Sequence, residues 1–192
     1  MLKNIVMFDK MDMMNGGRST MEKYIPDIYQ KSIYTIDYRK LKENGIRLLL
    51  FDLDNTLSPV GEDEPTDKLK KFMTELKEEF EVLIFSNSPR KRVLNFAEQL
   101  DIDGIYFACK PMRKKFDMVL REYKHEENEV AIIGDQLLTD IVGGNKVGIV
   151  TILVNPISTK DGFFTKWNRH KEDKIIKKLR DRGLFTKGKY YE

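Results

Sequence analysis

At 192 residues, 41% hydrophobic, 10% aromatic and 34% charged, the chain has the size and composition of one globular domain with a well-solvated surface. Cys109 is the only cysteine, which excludes an internal disulfide and any thiolate-built metal centre, so a metal would have to be held by oxygen or histidine. The net charge of +3 hides an asymmetry: between Lys166 and Lys189, ten Lys or Arg stand against three acids, a local balance of about +7 that leaves about −4 for the remainder.

The first twenty residues, "MLKNIVMFDKMDMMNGGRST", are Met-rich, carry a Gly-Gly pair near their end and show no periodicity. They are expected to form an extension, with Met21 a second candidate start and a single domain over residues 21–192. Asp9 and Asp12 fall where a secretory signal needs an apolar core, and no apolar run approaches the roughly 20 residues of a membrane span. The expected location is therefore the cytoplasm. From Tyr24 to Gly45 a loop and short helix are expected to deliver the chain to its first strand, with Gly45 as the helix stop.

Five apolar, β-rich runs follow: 46–52, 81–86, 104–108, 130–134 and 149–154. Helical spacing separates them. Leu69, Phe72, Met73 and Leu76 fall at i, i+3, i+4, i+7, and Phe116, Val119, Leu120 and Tyr123 repeat the pattern. Pro65 and Pro89 stand where a first helical turn tolerates proline. Continuous apolar strands alternating with amphipathic helices predict a mostly parallel, five-stranded α/β sheet covered on both faces.

In such folds ligands bind at the carboxyl ends of the strands, and that is where the reactive residue types collect. The first run ends in "DLDNTL", which places Asp52 and Asp54 on the same side of a strand, with Thr56 close behind. Two carboxylates so placed suit a division of labour, one acting as nucleophile or metal ligand and the other moving a proton. The second run ends in Ser86 and Asn87, just before a helix whose backbone N–H groups would favour a phosphate. Lys110 follows the third run. The fourth enters "GDQLLTD", with Asp135 and, about one helical turn on, Asp140. Carboxylates converging with a lysine and a hydroxyl describe a site for a hard cation and a phosphate.

"DLDNT", Ser86, Lys110 and "GDQLLTD" together resemble, in order and at the expected strand ends, the four motifs of the haloacid dehalogenase-like (HAD) phosphohydrolases. "SNSP", "KP", "IGDQLLTDIVGGN" and "DGFFTKWNR" make the likeness closer to the YqeG-type phosphatases of subclass IIIA. Those are similar in turn to the phosphatidylglycerophosphate phosphatases of mitochondria and plastids. The resemblance covers about Tyr24 to Leu184 and implies a Rossmann-like three-layer α/β/α fold. It also implies two-step phosphoryl transfer with Mg²⁺. Asp52 would be the nucleophile, Asp54 the general acid and base, and Lys110 the charge-offsetting catalytic residue. Ser86 and Asn87, with Thr56, would bind the phosphate. Asp52, the backbone carbonyl of Asp54, and Asp135 would ligate the metal, with Asp140 as a ligand or a support for one. Only about 30 residues separate Asp54 from Ser86 and about 24 separate Ser86 from Lys110, which leaves no room for a cap domain. An open site favours a phosphate displayed on something large, such as a lipid headgroup at a membrane surface, a protein or a nucleic-acid end.

Taken singly, several of these residues have plainer readings. Ser86 and Asn87 would be helix-capping residues and Lys110 a surface lysine; only the constellation promotes them. "GGNKVG" is expected to end a helix and let it pack on the sheet rather than bind a dinucleotide. His125 and His170 are expected at the surface, and Cys109 as a small buried side chain. The basic tail, expected to form a helix over about 163–184, sets Trp167, Ile175, Ile176 and Leu179 among its cations. Docking on the domain is the favoured reading, and contact with an anionic membrane is the functional alternative. Nucleic acid is a disfavoured partner, since the stretch has one aromatic residue and no recognised module. Two rivals remain open: a phosphatase of nucleic-acid ends or small metabolites, and a non-catalytic Mg²⁺- or phosphate-binding regulatory domain, although a pure binder has no need of the second acid.

Overall fold

The computed structural model describes residues 21–158 and 163–192, with side chains in the last segment from Arg169 onward. The expected N-terminal extension and the side chain of Trp167 lie outside the described residues. Twelve principal elements follow in chain order: β1 (Ile28–Gln30), α1 (Tyr38–Glu43), β2 (Leu48–Phe51), α2 (Asp67–Lys77), β3 (Glu81–Phe85), α3 (Arg90–Leu100), β4 (Asp103–Ile105), α4 (Arg113–Tyr123), β5 (Val130–Gly134), α5 (Val142–Val147), β6 (Val150–Val154) and α6 (Phe163–Asp181).

All strands pair in parallel, in the order β1-β6-β5-β2-β3-β4. Among the described residues the sheet therefore has six strands rather than the expected five. The addition is β1, too short to show alternation in the sequence and lying in the segment expected to be loop and helix. Long-range bonds make it a strand. The Asp27 carboxylate accepts from the N–H and hydroxyl of Thr151 at 2.8 and 2.9 Å, and the backbone of Tyr29 exchanges two 2.9 Å bonds with Tyr191. The C-terminus thus covers an edge that would otherwise expose unpaired backbone groups.

Strand β2 is buried along its whole length, and period-two geometry splits its residues between two cores. Leu49 and Phe51 join Leu69 and Met73 of α2 and Val93 and Phe96 of α3, while Leu48 and Leu50 join Phe116 and Val119 of α4. Helices α1, α2 and α3 cover one face, and α4, α5 and α6 the other, giving three α/β/α layers. Thr66 caps α2, its hydroxyl accepting from Leu69 N–H at 3.2 Å. Pro65 precedes that cap and Pro89 is itself the cap of α3, so both prolines fall just outside the first turns where they were expected. The basic tail is helix α6, and its Leu179 is fully buried beside Tyr29, Leu153 and Phe185. No inserted domain lies between Asp54 and Ser86 or between Ser86 and Lys110; each interval holds one helix, one strand and their loops.

"GGNKVG" performs the packing role expected of it. Gly148 ends α5 with φ +92°, and a Cβ on Gly144 would lie 2.5 Å from Thr151 Cγ2 and 2.7 Å from Ile132 Cγ2. Helix α5 therefore rests directly on the sheet beside β5 and β6. Gly144→Ala is expected to destabilise the fold by about 1–3 kcal/mol through overpacking, measured as a lower urea midpoint with an unchanged slope.

Candidate active site

The site is built where the parallel strands end. Asp52 continues β2, its N–H donating to Ile133 O at 2.9 Å. Leu53 is buried in the core with Leu49 and Phe51, and this anchor turns Asp52 and Asp54 to the opposite side. Asn55 then takes a left-handed conformation at φ +63°, which asparagine tolerates, and its side chain is fixed by the Ser158 hydroxyl at 3.0 Å. The loop after β4 is tied to the end of β3, with Ala108 N–H donating to Ser86 O at 2.9 Å. After β5 the chain forms a π-helical turn, Leu137–Ile141, that swings Asp140 back over the strand end. Gly134 makes this possible, since a Cβ there would lie 2.2 Å from the Asp140 carboxyl carbon.

Asp52, Asp135 and Asp140 come together: each offers a carboxylate oxygen within 4.8 Å of the others, and all three are buried. Lys110, 5% exposed, reaches between two of them, with Nζ 2.8 Å from Asp52 Oδ1 and 2.6 Å from Asp140 Oδ1. Its remaining position is set by Asn87, whose side-chain oxygen accepts from Lys110 N–H at 2.7 Å and whose amide donates to Lys110 O at 3.1 Å. Asn87 was expected to bind phosphate; in the structure both of its polar atoms are engaged in holding the lysine loop. The Thr56 hydroxyl likewise donates to Asp135 Oδ1 at 3.2 Å, supporting a carboxylate rather than standing free for a phosphate. Ser86 is buried, and its hydroxyl accepts from Ser88 N–H at 3.3 Å.

Asp54 is separate. Its carboxylate is not part of the acidic cluster among the described residues, so only its backbone carbonyl could serve the metal role expected of it. Arg92 Nε donates to Asp54 Oδ1 at 2.7 Å and the Ser88 hydroxyl donates to Oδ2. Arg92 is in turn held by the carbonyls of Pro59 and Glu62. A second arginine approaches from α6: Arg169 donates to the Asp135 carboxylate and, at 2.9 Å, to Asp135 O, while contacting Glu172 at 3.3 Å. Glu172 accepts from Leu138 N–H at 3.0 Å. Sequence reasoning missed Ser88, Arg92 and Arg169 as site residues. Their only signals were spacings, Ser88 to Arg92 across the start of α3 and Arg169 to Glu172 along one face of α6. Cys109, expected to be buried, is exposed, because φ +56° at this position turns it outward from the lysine loop. His125 is half-buried between Glu81 and Glu129 rather than free at the surface.

Three buried carboxylates against the charges of Lys110 and Arg169 leave an excess of negative charge. Burial pushes the Asp135 carboxyl up to about 8, the charges of Asp52 and Asp140 adding to the rise and Arg169 opposing it. Burial also raises the carboxyl of Asp140, with Lys110 opposing. For Lys110, burial disfavours the ammonium, but Asp140 and Asp52 outweigh it and the net shift is upward. The donor set is hard oxygen, anionic and convergent, which fits a divalent cation such as Mg²⁺.

Residues 18–101 match the family model described as mitochondrial PGP phosphatase, and residues 107–181 match the one described as HAD-hydrolase-like. Over 161 residues, covering 83% of this chain and 94% of the relative, the sequence is 41% identical to the probable phosphatase YqeG of Bacillus subtilis (strain 168). The chain belongs to the YqeG family of HAD-like phosphatases. It is also 28% identical over 171 residues to phosphatidylglycerophosphate phosphatase 1, chloroplastic/mitochondrial, of Arabidopsis thaliana, and 27% identical over 154 residues to the chloroplastic enzyme of Chlamydomonas reinhardtii. It matches 83% and 75% of itself to about half the length of each, 49% and 56%. Among solved structures, the cobalt-bound deoxy-D-mannose-octulosonate 8-phosphate phosphatase of Haemophilus influenzae aligns with a TM-score of 0.50 at 14% identity, covering 71% of this chain and 90% of that one. At this identity the likeness is one of fold.

Two outcomes follow for this phosphatase of the YqeG family. The Asp135 carboxyl titrates near 3.8 when unfolded and near 8 when folded without metal, so between these values the folded state holds a proton that the unfolded chain has released. That stabilisation is complete below about pH 4 and is lost as pH rises through 8. In chelator, the melting temperature is expected to fall from pH 5 to pH 8.5, and added Mg²⁺ is expected to flatten the profile. Lys110→Met, which strands two buried carboxylates, is expected to lower unfolding free energy by about 3–5 kcal/mol at neutral pH, measured by denaturant titration in chelator.

Proposed function

We propose that this phosphatase hydrolyses phosphomonoesters through a phosphoryl-Asp52 intermediate with Mg²⁺ as cofactor, and that its substrate is phosphatidylglycerophosphate, met from the cytoplasm at a membrane surface. The observation that carries the chemistry is the partition of the two acids: Asp52 is paired with a buried lysine inside the carboxylate cluster, whereas Asp54 is held outside it by Arg92 and Ser88. A nucleophile must stay ionised while a phosphate dianion approaches, and an acid–base residue must be free to exchange a proton.

Asp52 attacks phosphorus, the bond from phosphorus to the leaving alkoxide breaks, and Asp54 gives that oxygen its proton. Water then attacks the phosphoryl-aspartate, Asp54 takes a proton from it, and the bond to Asp52 breaks to release inorganic phosphate and restore the carboxylate. Asp52, Asp135 and Asp140 would hold the divalent ion, which supplies the positive charge that allows phosphate and carboxylate to meet in a dry site. Lys110 supplies more of that charge. The Ser86 hydroxyl and the N–H groups around it receive the phosphoryl oxygens, while Asn87 and Thr56 position Lys110 and Asp135. The lipid assignment is supported by the names of the Arabidopsis and Chlamydomonas relatives and by the capless opening, through which a headgroup on a bilayer can reach the strand ends.

Asp52→Asn is expected to abolish turnover without unfolding the protein. Asp54→Asn is expected to slow phosphatidylglycerophosphate hydrolysis by about 10²–10⁴-fold. With an aryl phosphate, whose leaving group needs no proton, Asp54→Asn should give a burst of product followed by slow release of phosphate. Turnover with Mg²⁺ on a panel containing phosphatidylglycerophosphate, soluble sugar phosphates and 5′-phosphorylated oligonucleotides tests the substrate. A preference for either of the latter two would overturn the lipid assignment.

A further inference from the structure

The sequence offers α6 as the surface for an anionic membrane, but the structure turns that helix inward. Leu179 is buried, and Ile175 and Ile176 pack against the cluster that it forms with Tyr29, Leu137 and Leu153. An interfacial helix needs an exposed apolar face, and the described part of α6 has spent its own on the domain.

The opposite combination occurs in the lysine loop, at the rim of the site. Phe107 is 52% exposed and Met112 is 62% exposed. Phe107 stands there in a left-handed conformation, φ +45°, unusual for a bulky aromatic residue, and is held by its N–H donating to Ser88 O at 3.1 Å. Cations open the two helices that flank this loop. Helix α3 opens with Arg90 and Lys91 and helix α4 with Arg113, Lys114 and Lys115, and neither helix has an acid in its first turn. Positive charge at a helix N-terminus opposes the helix dipole, so these residues do not serve the stability of their own helices. The two groups form one patch. Arg90 lies 5.8 Å and Lys115 5.9 Å from the same Tyr106 ring, whose centroid is 5.9 Å from that of Phe107. Arg113 is partly engaged by Lys146 O and Asp117. The far side of α3 carries the acidic loop Glu62-Asp63-Glu64, tied to it through Asn95 and Gln99, which gives the rim one cationic, apolar lip and one anionic lip.

We propose that this lip, the exposed Phe107 and Met112 with the cations opening α3 and α4, is where the phosphatase contacts an anionic phospholipid surface. The reading rests on the lipid substrate proposed above. The apolar side chains enter the interfacial region, the lysines and arginines meet lipid phosphates, and the acidic lip faces away from the bilayer. Because this loop carries Lys110, docking brings a headgroup phosphate directly to the strand ends.

The test is sedimentation of the full chain with vesicles of phosphatidylcholine alone or mixed with phosphatidylglycerol, both free of substrate. Wild type is expected on the mixed vesicles, in a salt-sensitive manner. Phe107→Ser/Met112→Ser and Lys91→Glu/Lys114→Glu are each expected to lower the bound fraction by about tenfold or more, while turnover of a soluble aryl phosphate is retained and reports an intact fold. Lys174→Ala/Lys177→Ala/Lys178→Ala is expected to bind as wild type. A polarity-sensitive dye on Cys109, the only cysteine, is expected to shift to the blue with mixed vesicles alone. Undiminished binding of both lip variants, loss of binding in the α6 variant instead, equal binding to both vesicle types or an unshifted dye would each overturn the proposal. Hydrolysis of a short-chain, water-soluble phosphatidylglycerophosphate is scored separately. If it fails while the lip variants lose binding, the substrate assignment falls and the lip stands; if it succeeds while they still bind, the reverse holds.

Discussion

The ammonium of Lys110 sits between Asp52 and Asp140 where almost no water reaches, and the arrangement of the site follows from keeping it there. Two carboxylates at that depth repel each other unless a cation separates them, and a buried lysine would shed its proton unless acids held it. Each partner is fixed by a different part of the fold. Asp52 is carried by the central strand, Asp140 by a π-helical turn that clears Gly134, and Lys110 by a loop clamped through Asn87 to the end of the neighbouring strand. A shift in any of these elements would leave a charge buried without compensation.

Lys110 does not complete the neutralisation. Asp135 adds a third carboxylate, and Arg169 meets it from the C-terminal helix. Helix α6 therefore has two tasks: Leu179 helps to close the core, and the arginine a few turns earlier counters the third acid of the cluster. A divalent ion binding to these acids would compete with Arg169 for the oxygens of Asp135, so the helix that completes the fold also sets part of the electrostatic condition for metal binding.

Asp54 follows a different logic. It lies one residue beyond Leu53 on the same side of the strand as Asp52, yet Arg92 and Ser88 draw it out of the cluster. Separation gives the two acids distinct environments, Asp52 buried against Lys110 and Asp54 half-buried against Arg92 and Ser88. Arg92 is a positioning residue in this scheme, and its own fork is held by backbone carbonyls of the loop that follows β2.

Much of this was legible in the sequence. Continuous apolar runs marked β2, β3, β5 and β6, helical spacing marked α2 and α4, and acids at strand ends marked the site, because each signal is written within a few neighbouring residues. Strand β1 was not legible, since three residues carry no period and only pairing with the distant β6 and Tyr191 makes them a strand. Nor was the true work of Asn87 and Thr56, whose partners Lys110 and Asp135 lie 23 and 79 residues away. The sequence by itself determined the α/β alternation, the absence of an inserted cap and the acids, serine and lysine that collect at the strand ends. The tertiary structure decided which acid is paired with which cation, that the basic tail docks and that the exposed apolar residues stand at the rim, because partner choice depends on how distant elements pack.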